Sequence, residues 1–79
     1  MTTTDVVKTI DARGKPCPGP LMALIGEIRR AGIGSALEVW SNDSGSRIDI
    51  PAWIEKARHE LISVTDMDGY TSFVVRKAR

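Results

Sequence analysis

Residues 36–41, Ala36-Leu37-Glu38-Val39-Trp40-Ser41, set Leu37 and Val39 against Glu38 and Trp40, the period-two pattern of a strand whose two faces differ. What flanks this strand decides the fold. On its N-terminal side Leu21, Leu24, Ile25 and Ile28 fall at i, i+3, i+4 and i+7, one apolar stripe of a helix that runs from Pro18 and is ended by Gly32 and Gly34. Further upstream, after a polar and frayed tip, Val6, Val7, Thr9 and Ile10 favour a short strand over residues 5–11, with a turn over 12–16. On the C-terminal side, Asn42-Asp43-Ser44-Gly45-Ser46 is dense in turn residues, and Ile48, Asp49 and Ile50 lead into Pro51. Proline suits a first helical position, and Ile50, Trp53, Ile54, Ala57 and Leu61 keep helical spacing, so a second helix is expected over about residues 51–59. Residues 61–65 and 70–77 then flank Asp68-Gly69, a strong hairpin signal. The order is β-α-β-α-β-β. Right-handed crossovers place both helices on one face of a mixed four-stranded sheet, an α+β fold in the form of a two-layer α/β sandwich.

A chain of 79 residues, 42% hydrophobic, has material for one small core, so a single domain over 1–79 is expected. A formal net charge of +1 gives little basis for a nucleic-acid or membrane surface built on bulk charge. The start MTTTDVVKTI lacks a basic flank followed by a long apolar run, which reads as neither secretion signal nor membrane span and implies a cytoplasmic protein. The single cysteine excludes an internal disulfide, and no histidine or cysteine cluster has the spacing of a closed zinc site. Packing must supply the stability.

That cysteine is Cys17, in Lys15-Pro16-Cys17-Pro18-Gly19-Pro20. The run is consistent with Cys17 as N-cap and Pro18 at the first helical position, where prolines cost no helix hydrogen bond. Pro18 and Pro20 lack N–H groups, leaving the Cys17 and Gly19 amides as donors at the helix mouth, and Gly19 has no side chain to crowd the sulfur. The helix dipole places roughly half a positive charge at this end, and with Arg13 and Lys15 nearby the thiolate is favoured. An isolated free cysteine is often just a small buried hydrophobe. Here serine, threonine, aspartate or asparagine would cap better, so chemistry is the reason for sulfur.

Asp11-Ala12-Arg13-Gly14 followed by Cys17-Pro18-Gly19-Pro20 resembles the signature of the TusA (SirA-like) sulfur-carrier proteins. The resemblance continues through residues 34–39, the Asp43 loop, Asp49-Ile50-Pro51, His59-Glu60-Leu61 and residues 70–77, nearly the whole chain. It implies the same β-α-β-α-β-β sandwich and a cysteine, Cys17, that accepts sulfane sulfur as a persulfide or thiosulfonate without metal or organic cofactor. It further implies a donor protein, a cysteine desulfurase or a rhodanese-type protein, and a cysteine-containing acceptor protein, in tRNA thiolation, cofactor synthesis or sulfur oxidation. Such a protein is closer to a cosubstrate than to an independent catalyst, and a monomer is expected. Gly19 stands where several members carry an acidic or larger residue, which inclines the reading toward trafficking of thiosulfate or other reduced sulfur. Asp43-Ser44 replaces a common Asp-Pro, and Arg58 a frequent glycine. The competing class is a non-catalytic interaction or regulatory module, RNA-contacting by fold analogy alone; one tyrosine and one phenylalanine, Tyr70 and Phe73, are too few for a stacking platform.

The remaining residues have mostly structural readings. His59 is expected to meet the terminal carbonyls of the second helix, Trp53 to lie in the core, and Asp11 and Asp43 to tie loops through side-chain to backbone hydrogen bonds. Arg76, Lys77 and Arg79 read as a basic tail, ordinarily solvated but able to touch an acidic partner. Trp40 is divided between core and partner surface, Met22 between core and an apolar rim for docking, and Arg13 and Lys15 between solvated charges and attraction of an anion.

Overall fold

A computed structural model of the chain describes residues 6–16 and 18–79. The expected frayed tip, the first residue of the expected strand at Asp5, and Cys17 itself lie outside the described residues.

Strand β1 (Val6–Asp11) pairs in parallel with β2 (Ala36–Ser41), and α1 (Gly19–Arg30) makes the crossover between them. A parallel pair cannot be joined by a tight turn, so a helix of this length is the natural connection. Helix α2 (Ser46–Lys56) leads to β3 (Glu60–Asp66), and a tight turn leads on to β4 (Thr71–Arg76). Strand β4 inserts antiparallel between β2 and β3, giving the order β1-β2-β4-β3. The mixed four-stranded sheet and its two helices are those the sequence pattern implies.

The alternation of residues 36–41 sorts the sheet into two faces. Leu37 lies opposite Val75 and Val39 opposite Phe73 across β2 and β4. All four are at most 1% exposed, as are Leu24 of α1 and Ile50 and Ile54 of α2, and with Ile28 they form one core cluster. Both helices therefore cover the same face. Full burial of side chains this size contributes about 1.5–3 kcal/mol each. Trp53 packs against this cluster from its edge, as does Leu21, whereas Met22 on the same helix is exposed. The hairpin turn falls at Asp68-Gly69 as expected, with Gly69 at φ +86° and the Met67 amide donating to the Tyr70 carbonyl at 2.8 Å.

Helix α2 departs from the expectation at both ends, beginning at Ser46 rather than at Pro51 and ending at Lys56. The turn residues of the preceding loop wind directly into the helix. Ser46, Arg47 and Ile48 donate to the carbonyls of Asp43, Ser44 and Gly45 at 3.1, 3.3 and 3.1 Å. A buried hydrogen bond of 2.8 Å joins Ser41 Oγ to Ser46 Oγ and fixes the helix start to the end of β2. Pro51 thus sits inside the helix, where it removes one hydrogen bond but keeps a helical φ. Burial of Ile50 and Ile54 on either side of it holds the segment on the sheet.

The basic tail is not simply solvated. Lys77 Nζ donates to the Ala31 carbonyl at 2.8 Å, just past the end of α1, and Arg76 donates to the Gly34 carbonyl at 3.0 Å. Cations are favoured at this negative end of a helix. His59 also differs from its expected role: its Nδ1 accepts from the Ala78 amide at 3.1 Å, and its ring lies 5.6 Å from that of Trp53. Burial, then the charges of Lys77 and Arg79, hold its pKa below the usual histidine value, consistent with a neutral ring acting as acceptor.

Between α2 and β3, Arg58 adopts φ +63°. This left-handed conformation costs a residue with a Cβ roughly 1 kcal/mol, part of which glycine would lose again in unfolded-chain entropy. Arg58→Gly is therefore expected to leave stability unchanged or raise it by up to about 1 kcal/mol in denaturant unfolding. A loss of more than that amount would contradict this reading of the turn.

Candidate functional site

Parallel pairing of β1 with β2 brings the C-terminal ends of both strands, and hence the loops that follow them, to one end of the sheet. The β3–β4 turn joins them there, because Ser41 pairs with Thr71 and Thr71 with Asp66. Three segments distant in sequence meet around the residues that lead into position 17.

That leading segment is held residue by residue. Ala12 is fully buried and its amide donates to the Trp40 carbonyl at 2.9 Å, continuing the β1–β2 pairing past the strand end. Arg13 makes a two-pronged ion pair with Asp11, Nε to Oδ1 at 2.8 Å and Nη2 to Oδ2 at 2.7 Å, while its backbone amide donates to the same Oδ1. Gly14 takes φ +84°, which a side chain would strain, and its amide reaches across to Asn42 Oδ1 at 2.9 Å. The Lys15 amide returns to the Ala12 carbonyl at 3.2 Å.

The guanidinium of Arg13 lies 5.0 Å from the ring centres of both Trp40 and Tyr70, and those two rings are 5.1 Å apart. Trp40 is thus half-buried on the face away from the helices, beneath a cation, which resolves its two sequence readings. Its indole N–H donates to Glu38 Oε2 at 2.8 Å, and the same carboxylate accepts from Ser72 Oγ and, at 3.4 Å, from Thr9 Oγ1. Burial raises the Glu38 pKa, but the hydrogen bonds from Ser72, Trp40 and Thr9 outweigh it and hold the carboxyl below its usual value.

Beyond position 17, α1 starts at Gly19 with Pro18 in the cap position, one residue later than expected, and Pro20 is buried in its first turn. The Gly19 amide is not a free donor: it donates to the Pro16 carbonyl at 2.8 Å, and the helix ladder begins with Met22 N–H to the Pro18 carbonyl. The expectation that Gly19 donates to sulfur is corrected accordingly. Absence of a side chain at 19 serves Lys15, since a Cβ there would lie 3.1 Å from the Lys15 Cβ.

On the far side of the Asn42 loop an open cleft of about 370 Å³ is lined by Ser41, Asp43, Arg47, Met67, Tyr70 and Thr71, among others. Arg47 and Asp66 form an ion pair beside it. Asp43 differs from the expected side-chain tie: its backbone carbonyl accepts from the Ser46 amide and its own amide donates to Ser41 Oγ at 3.2 Å, while its Oδ2 is buried without a hydrogen-bond partner. Among the described residues no group of three or more His, Cys, Asp or Glu is placed to hold a metal ion, and no helix is long and apolar enough to cross a membrane.

Of the residues singled out in the sequence, Arg13, Lys15, Pro18, Gly19 and Pro20 are brought together on this one loop-and-helix entrance. Tyr70, Asn42 and Glu38 were not anticipated as its supports. Asn42 carried only a turn signal, and nothing local distinguishes Tyr70.

The architecture matches that of the SirA-like protein from Desulfitobacterium hafniense, with a TM-score of 0.83 at 21% identity over 92% of this chain and 100% of that one. The family described as sulfurtransferase TusA matches residues 8–77. A putative sulfur carrier protein of Archaeoglobus fulgidus is 44% identical over 70 residues, 89% of this chain and 96% of the relative. The sulfur carrier protein TusA of Pseudomonas entomophila is 34% identical over 76 residues, 94% and 95% of the two chains. This chain belongs to the TusA family.

Hydrogen bonding from Arg13 lowers the Asp11 carboxyl from 3.8 to about 2. Because the folded value lies below the unfolded one, the pair contributes stability at pH values above about 3.8 that is lost as pH falls through about 2. In an NMR titration Asp11 is expected near the lower value in the wild type and near its ordinary value in Arg13→Ala. An ordinary value in the wild type would refute the ion pair.

Proposed function

We propose that this chain is a sulfur carrier that takes up sulfane sulfur on Cys17 and hands it to an acceptor protein. The observation that carries the reading is the family match over residues 8–77, which contains the only cysteine in the chain, together with relatives named sulfur carrier proteins. The entrance to α1 supports it. Helix N-termini favour anions, and a sulfur beside one is the more readily held as thiolate or persulfide anion.

The transfer is thiol exchange. The Cys17 thiolate attacks the outer sulfur of a donor persulfide, forming a new S–S bond and releasing the donor thiolate; the outer sulfur and its proton now reside on Cys17. An acceptor thiolate then attacks that outer sulfur and Cys17 leaves as thiolate. No net electrons are exchanged, so no redox cofactor is needed. A cysteine desulfurase or a rhodanese-type protein fits the donor role, and a protein with an accessible cysteine the acceptor role. Where the donor cysteine already carries a thiosulfonate, the same exchange moves it: the Cys17 thiolate attacks the sulfur bearing the sulfonate, the donor thiolate leaves, and a thiosulfonate on Cys17 is the alternative cargo. The chain works as one domain presented to successive partners.

Incubation with an active cysteine desulfurase and cysteine, or with a rhodanese and thiosulfate, is expected to add about 32 Da, one sulfur atom, that is removed by dithiothreitol. Intact-mass measurement should show the adduct on the wild type and not on Cys17→Ala. Its absence from the wild type with both active donors, or its presence on Cys17→Ala, would refute the proposal.

A further inference from the structure

Arg13 lies close in sequence to Cys17, and the simplest role for it is to attract an anion by its charge. Its surroundings argue against that. Both prongs of the guanidinium are taken by Asp11, so the positive charge is largely cancelled where it sits. Its planar group instead lies against two rings, 5.0 Å from each, contributed by the central strand and by the far hairpin.

Those rings are themselves held. Trp40 is oriented by its N–H bond to Glu38, whose carboxylate is fixed in turn by Ser72 on β4 and Thr9 on β1. Tyr70 follows Gly69 in the tight turn closed by the Met67 to Tyr70 hydrogen bond. A chain of contacts therefore runs from three strands of the sheet, through Glu38 and Trp40, to Arg13, and Arg13 belongs to the segment that leads into position 17.

We infer that Arg13 is a positioning residue that clamps the 12–16 segment onto the Trp40–Tyr70 pair, so that its planar shape, not its charge, sets the reactivity of Cys17. The inference rests on the reading of Cys17 as the reactive residue. It makes a distinction a charge role would not. Lysine keeps the positive charge but, with a single ammonium, cannot make the two-pronged bond to Asp11 and also lie over both rings. A misplaced reacting group loses rate steeply with displacement.

The test uses the full chain as wild type, Arg13→Lys, Arg13→Ala and Tyr70→Leu, each checked for native thermal unfolding. Two rates are measured: alkylation of Cys17 by iodoacetamide as a function of pH, which needs no sulfur donor, and sulfur loading from a cysteine desulfurase. Arg13→Lys is expected to behave like Arg13→Ala, both slowing loading roughly tenfold and shifting the alkylation profile alike, with Tyr70→Leu changed in the same direction. Restoration of wild-type rates by Arg13→Lys, or wild-type behaviour of all three variants, overturns the inference. If the wild type takes up no sulfur while the alkylation profiles still separate in this way, the carrier reading fails and the positioning role stands.

Discussion

The parallel pairing of β1 with β2 is the constraint on which the rest depends. It forces α1 to cross over between the two strands, and it delivers the C-terminal ends of both strands to the same end of the sheet. The Ala12 amide extends that pairing onto the Trp40 carbonyl, so the loop toward position 17 starts as a continuation of the sheet. Without that bond, Asp11 and Arg13 would leave the strand end free to wander. With it, Arg13 has one direction to go, across the open face onto Trp40.

The two faces of the sheet carry different work. Leu37, Val39, Phe73 and Val75 face the helices and, with Leu24, Ile28, Ile50 and Ile54, form the buried core, side chains of this size contributing about 1.5–3 kcal/mol each. The other face holds a polar assembly of modest energy in which Glu38 gathers three donors and Trp40 and Tyr70 receive Arg13. Stability is thus largely separable from the arrangement of the site, and the family relationship over residues 8–77 extends over both.

Much of the architecture could be read from local pattern. The alternation in residues 36–41, the stripe from Leu21 to Ile28 and the Asp68-Gly69 turn each depend on neighbours in sequence, and each is found where expected. The start of α2 was hidden because Asp43-Ser44-Gly45 looks like loop and Pro51 looks like a first helical residue, whereas tertiary burial of Ser46 and Ile50 draws the helix across both. The Gly19 amide reads as a free donor from local sequence, yet the Pro16 carbonyl, just ahead of the helix, takes it. The motif around Cys17 was legible, but its supports were not: Arg13 meets Tyr70 only because β4 returns beside β2, a fact of topology that no window of sequence contains.

The segment leading to Cys17 continues the sheet and is not a free loop. Amide hydrogen exchange tests it most directly, because exchange reports the opening of individual hydrogen bonds. The Ala12 and Gly14 amides, bonded to Trp40 and Asn42, are expected to exchange slowly, together with Val39 in β2. Exchange of both at the rate of an unprotected loop, with Val39 still protected, would show instead that this segment is a free loop.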